Sequence, residues 1–202
     1  MNILLDPLPE KVTVGGRAWP IKTEFFVWIL FELTMQDNTI TDTERVRQAL
    51  ALCYPTIPPN IEEALAALLW FYRCGAEAPT PGKGKSGGAP AKAYSFEQDA
   101  DIIFAAFMAC YHIDLSEADL HWWKFRALFR GLPQECELVK IMGYRTADLK
   151  GMGKTQRKLY EKMRKIYALQ NPSSVESAVS LAERNRRMKD YVSQRFKEAG
   201  TD

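Results

Sequence analysis

Residues 94–133 constrain the fold more than any other stretch of the chain. They hold two of the five tryptophans, five of the ten phenylalanines and both histidines. From Ile102 to Tyr111 nearly every residue is apolar. That run is too short to span a bilayer, which needs about 20 apolar residues, so it predicts a buried helix. Ser95 stands where an N-cap would, with Gln98 placed to reach back as its capping-box partner. A second helix is predicted after Ser116, with Glu117 and Asp119 in its first turn. Gly131 and Pro133 stop it. On this second helix Trp122, Phe125, Phe129 and Leu132 share one face, and Leu120, Trp123 and Leu128 share another. Two apolar faces predict a helix sandwiched in the core, with Lys124, Arg126 and Arg130 at its rim.

The chain before this stretch adds a hairpin and three helices. Lys11-Val-Thr-Val14 and Arg17-Ala-Trp-Pro-Ile21 flank Gly15-Gly16. Two glycines between alternating strands predict a two-residue hairpin, because both central positions can take positive φ. In that register Val12 faces Trp19 and Val14 faces Arg17. A lone hairpin is marginal in water, so it must lie on helices through Val12, Trp19 and Ile21. Phe25 to Phe31 is unbroken apolar sequence and predicts a central helix. Thr41 or Asp42 caps the next one, whose stripe is Val46, Ala49, Leu50 and Cys53. Asn60 with Glu63 caps a third, running to Cys74 and stopping at Gly75. Residues 76–93 carry Pro, Gly and Lys without a large apolar side chain and predict a flexible loop.

After Pro133 a short helix is predicted from Gln134 to Met142, ended by Gly143, and a basic one over 154–168. Ser173 with Glu176 caps a last helix over roughly 174–198. Its stripe of Val175, Ala178, Ala182, Met188, Val192 and Phe196 is too thin to bury much area alone, so the helix is expected either to fray or to dock on a partner. The expected fold is therefore mainly α: a helical bundle-like core with a small N-terminal β-hairpin (11–21) and a flexible Gly/Pro/Lys loop (76–93). Residues 1–168 form one domain and residues 169–202 a C-terminal helical arm.

Charge is polarised along the chain. Residues 145–202 hold 14 of the 27 Lys and Arg but 7 of the 25 Asp and Glu, which leaves 13 and 18 before them. The body is thus −5 and the C-terminal part +7, a polarity that can guide one chain onto another or onto an anionic surface. The four cysteines are widely spaced with no Cys-x-x-Cys, which predicts buried thiols in a reducing compartment. No signal peptide and no membrane-spanning run is legible, so the cytoplasm is the expected location.

Candidate chemistry is incomplete everywhere. Gly84-Lys85-Ser86 and Gly153-Lys154-Thr155 mimic a phosphate-binding loop, but the motif needs glycines where Pro79 and Asp148 stand. Cys110 and His112 are two residues apart on a helix and do not face each other, so with His121 they lack a metal set unless Cys136 joins them. His121 has acidic neighbours in Asp114 and Asp119 but no accompanying nucleophile. No catalytic residue, cofactor or metal is expected, and the chain reads as a binding protein rather than an enzyme. Trp and Arg are favoured at interface hot spots. The candidate protein-binding residues are accordingly Trp122, Arg126 and Arg130, with Arg184, Arg187, Met188, Val192 and Phe196 on the arm.

Tyr94-Ser-Phe-Glu-Gln-Asp-Ala-Asp-Ile-Ile103, Tyr111-His-Ile-Asp-Leu115 and Leu120-His-Trp-Trp-Lys-Phe-Arg-Ala-Leu128 resemble the bacteriophage family called "gene product fifteen". The resemblance is densest over 94–146. It continues more weakly through Val14-Gly-Gly-Arg-Ala-Trp-Pro-Ile-Lys-Thr23 and Trp70-Phe-Tyr-Arg-Cys-Gly75, and fades after Asp148. It implies a role in tail morphogenesis, as a tail assembly chaperone that binds the tape-measure protein and tail tube subunits or further copies of itself. The alternative is a nucleic-acid-binding accessory protein that uses the basic C-terminal third. Mixed Glu and Asp in that third, and the lack of a groove-reading motif, argue against nucleic acid.

Overall fold

The computed structural model describes residues 2–77 and 91–170, together with Glu183 and Arg186. The described chain is mainly α, with one two-stranded antiparallel sheet and seven helices. It falls into two compact units, one within Met1–Ala76 and Ser173–Asp202 and one within Glu77–Pro172.

The first unit opens with strands β1 (Lys11–Val14) and β2 (Arg17–Pro20). The pairing sets Val12 against Trp19 and Val14 against Arg17, as the two-glycine turn requires. Gly15 and Gly16 take φ of +57° and +73°, the left-handed values of a tight hairpin turn. Val12, Val14 and Ile21 are buried, and Arg17 lies 5.1 Å over the half-buried Trp19 ring.

Three helices carry the core of this unit: α1 (Phe25–Gln36), α2 (Asp42–Cys53) and α3 (Ile61–Tyr72). Trp28 on α1 packs on Phe71 of α3 with ring centroids 4.5 Å apart, and its Nε1 donates to the Lys22 carbonyl at 2.9 Å. Thr41 caps α2 by accepting from Glu44 N. Asn60 and Glu63 form a reciprocal cap on α3, Glu63 N donating to Asn60 Oδ1 and Asn60 Nδ2 to Glu63 Oε1. The other Glu63 oxygen accepts from Gly15 N at 2.7 Å, so one carboxylate both braces the Asn60 cap and holds the hairpin turn. The third helix ends at Tyr72, before Cys74, which itself takes φ +58° ahead of Gly75.

The second unit has four helices: α4 (Ala100–Tyr111), α5 (Trp122–Arg130), α6 (Glu137–Thr146) and α7 (Lys154–Ile166). Its core is aromatic and comes from residues 94–133. Phe125 stacks on Phe107 at 5.0 Å and on Trp122 at 5.6 Å, while Phe96 and Tyr94 close on Phe129.

Several further boundaries depart from the sequence expectation. Ser95 does accept from Glu97 N and Gln98 N, but it caps a turn, and α4 begins after Asp99. Gln98 does not reach back: its amide bonds both backbone groups of Gln170 at 2.8 Å. Ser116 caps no helix, because the Asp114 carboxylate holds it in a turn. The N-cap of α5 is His121, whose Nδ1 accepts from Trp123 N at 3.0 Å. Gly143 does not end α6, which starts later than expected at Glu137 and runs through the glycine to Thr146. Residues 78–90 of the expected loop lie outside the described residues. So does the expected C-terminal arm beyond Gln170, apart from Glu183 and Arg186, which are helical and paired at 2.8 Å.

Candidate functional site

The candidates on α5 divide between inside and outside. Trp122 is 0 % exposed and belongs to the aromatic core, within 6.4 Å of Phe96 and stacked on Phe125. Arg126 is half-buried, lies 5.3 Å over the Trp122 ring and donates from Nη1 to Tyr94 Oη at 2.8 Å. Its guanidinium thus braces the core through a cation–π contact and a hydrogen bond. Arg130 and Lys124 are exposed. Of the three α5 candidates, Arg130 alone turns its charge fully to solvent. Arg184, Arg187, Met188, Val192 and Phe196 lie outside the described residues.

Sequence reasoning missed the most heavily bonded side chain of this unit. Arg145, on α6, pairs with Asp99 at 2.6 Å, and both side chains are buried. Its Nη2 donates to the second Asp99 oxygen at 2.9 Å, its Nη1 also to the Ala93 carbonyl at 3.1 Å, and its Nε to the Tyr167 carbonyl at 2.6 Å. One guanidinium thereby joins the segment before α4, α6 itself and the end of α7. Asp99 also accepts from Ser95 N at 2.8 Å, which uses up the carboxylate that would otherwise cap α4. Asp99 and Arg145 are 46 residues apart, and neither stands in a pattern that marks the other.

Helix α7 is held to α6 along one side. Tyr160 meets Tyr144 edge-on at 5.3 Å, Tyr167 lies parallel to Tyr144 at 6.2 Å, and Arg164 donates to the carbonyls of Tyr144 and Ala147. Lys154, Lys158, Lys162 and Lys165 are exposed.

The residues with possible chemistry are distributed as follows. The Gly153-Lys154-Thr155 turn opens α7, but no strand precedes it, and the only sheet among the described residues is the hairpin. Asp148 bonds the backbone N of Lys150. The other mimic, at Gly84, lies outside the described residues. Cys136 does come within hydrogen-bonding reach of Cys110, whose thiol is pushed up by burial and further by that neighbour. His112 is exposed at the end of α4, and His121 is engaged as a cap. Among the described residues no three His, Cys, Asp or Glu side chains converge as a metal set. Burial drives the Cys53 thiol far above its ordinary range.

A family model described as "Bacteriophage Gp15 protein" matches residues 4–169. This chain belongs to the bacteriophage Gp15 protein family. The match reaches past the densest resemblance, into both compact units and through α7 of this Gp15 protein. Comparison with curated proteins and with solved structures finds no match. Among the described residues of this Gp15 protein, no helix is long and apolar enough to cross a membrane.

Proposed function

We propose that this phage protein is a non-enzymatic tail assembly chaperone, working in the host cytoplasm. It holds the long apolar helix of the tape-measure protein in solution while tail tube subunits polymerise around it. The observation that supports this reading is the outer face of α4. Phe104 and Met108 are 37 % and 38 % exposed, with Ala105 and Ala109 exposed beside them at helical spacing. Only Ile103, Ala106 and Phe107 of this very apolar helix are buried. An exposed apolar ridge suits helix-in-groove binding of a hydrophobic partner, and costs solubility otherwise.

The test is co-expression with a phage tape-measure protein and a tail tube protein, followed by mass analysis of what co-purifies. The tape-measure protein is expected in the complex, and Phe104→Ser with Met108→Ser is expected to release it without unfolding the chain. A chain that purifies free of tail proteins, while retarding DNA in a salt-sensitive gel shift, overturns the reading.

A further inference from the structure

The outer face of α7 is not random in its charges. Lys154, Lys158, Lys162 and Lys165 fall within roughly a quarter-turn of one another at 3.6 residues per turn. All four are exposed, and among the described residues no ion pair is formed by any of them. Like charges one turn apart repel and weaken a helix, so the row gains from an external counter-charge. Beside it on one flank lie Leu159 and Ile166, 48 % and 58 % exposed. On the other flank Arg157 is already neutralised by Glu161 at 2.9 Å. Tyr160, Arg164 and Tyr167 are committed to α6, so the lysine row and its apolar neighbours point away from that helix.

We propose that this face of α7 docks an acidic amphipathic α-helix of a partner protein. Carboxylates spaced one turn apart on the partner run beside Lys154, Lys158, Lys162 and Lys165, and its apolar ridge covers Leu159 and Ile166. The match is one of period: both rows repeat about every 5.4 Å along a helix axis. A nucleic acid would satisfy the lysines but leave Leu159 and Ile166 in water. The face also lacks free arginines, which favour phosphate, since Arg157 and Arg164 are engaged within the chain. A membrane would need more apolar surface than these two side chains, because Tyr160 and Tyr167 are spent on Tyr144. The inference rests on the protein-binding reading above and adds to the α4 ridge a second surface with its own partner chemistry.

The experiment uses the full chain and a fluorescent designed peptide with Glu at every fourth position beside a Leu ridge. Its lysine-for-glutamate twin, a DNA duplex and anionic vesicles are run in parallel. The acidic peptide is expected to bind, more weakly as salt rises, because exposed charges are screened over about 8–10 Å. Lys158→Glu with Lys162→Glu should weaken it about tenfold or more, and Leu159→Ser with Ile166→Ser should weaken it without changing the salt dependence. Both pairs are exposed, and an unchanged circular dichroism spectrum confirms the fold. No binding of the acidic peptide, equal binding by both variants, or tighter binding of DNA or vesicles that the charge reversal abolishes each overturns the proposal. Tape-measure co-purification that survives the charge reversal, with no peptide bound, overturns this face and leaves the chaperone reading standing. Peptide binding without tail-protein co-purification does the reverse.

Discussion

Arg145 spends all three guanidinium nitrogens inside the protein, on Asp99 and on the carbonyls of Ala93 and Tyr167. Removing one side of such a buried pair leaves the other charge without compensation, at a cost of about 3–5 kcal/mol. Arg145→Met is therefore expected to lower the urea midpoint sharply, while Asp99→Leu combined with Arg145→Met recovers part of the loss. An Arg145→Met midpoint equal to wild type would mean that water reaches the pair. Gly143 works in the opposite direction. It lies inside α6, and a Cβ built there meets nothing within 4 Å. Gly143→Ala should stabilise the fold by about 0.5–1 kcal/mol, since glycine in a helix loses more backbone entropy than alanine. Thermal unfolding decides it: a lowered midpoint would show that this position needs the missing side chain. Both residues also mark where reading the sequence reaches its limit. A glycine after an apolar run looks like a stop, and only the surrounding helix shows that it is passed through. The Asp99–Arg145 pair is set by folding alone and leaves no local trace.

At the level of elements, signals that act within a few residues are the legible ones. Gly15-Gly16 dictated the hairpin register, and Asn60 with Glu63 dictated the start of α3, because donor and acceptor lie within one turn. Ser95 and Ser116 carry the same kind of signal, yet neither starts its helix. In each case a nearby carboxylate or a distant partner outcompetes the cap: Asp114 holds Ser116, and Gln170 takes Gln98. For the candidate surface, the core reading of Trp122 was legible from its periodicity. The outward residues of α4 and α7 were not, because an apolar helix does not announce which of its faces lacks a neighbour. Glu63 offers the sharpest test of an element. It braces the Asn60 cap of α3 and holds the Gly15 turn with the same carboxylate. Glu63→Ala should destabilise the protein by about 1–2 kcal/mol and raise hydrogen exchange at Gly15 together with the first turn of α3. Exchange that rises on α3 while Gly15 stays protected would separate the two roles.

For the molecule as a whole, each compact unit carries its own aromatic centre: Trp28 with Phe31 and Phe71 in one, Trp122 with Phe107 and Phe125 in the other. Separate cores make separate unfolding events the expected result. Calorimetry should give a van't Hoff enthalpy below the calorimetric one, and Arg145→Met should shift only the transition of the second unit. A single transition that moves as a block would favour the one-domain expectation drawn from the sequence. The Arg145 hub carries a further consequence, in time rather than in space. Chains leave the ribosome N-terminus first, and domains close in that order. The strands and helices of the first unit are all made once Ala76 has emerged. The second has its Asp99–Arg145 pair available when α6 appears, but Nε of Arg145 finds its acceptor only when Tyr167 is made, 22 residues later. Until then three of the four Arg145 bonds have both partners made, and Nε alone lacks its acceptor. Among these bonds the one to Tyr167, at the end of α7, is thus the last that synthesis makes available.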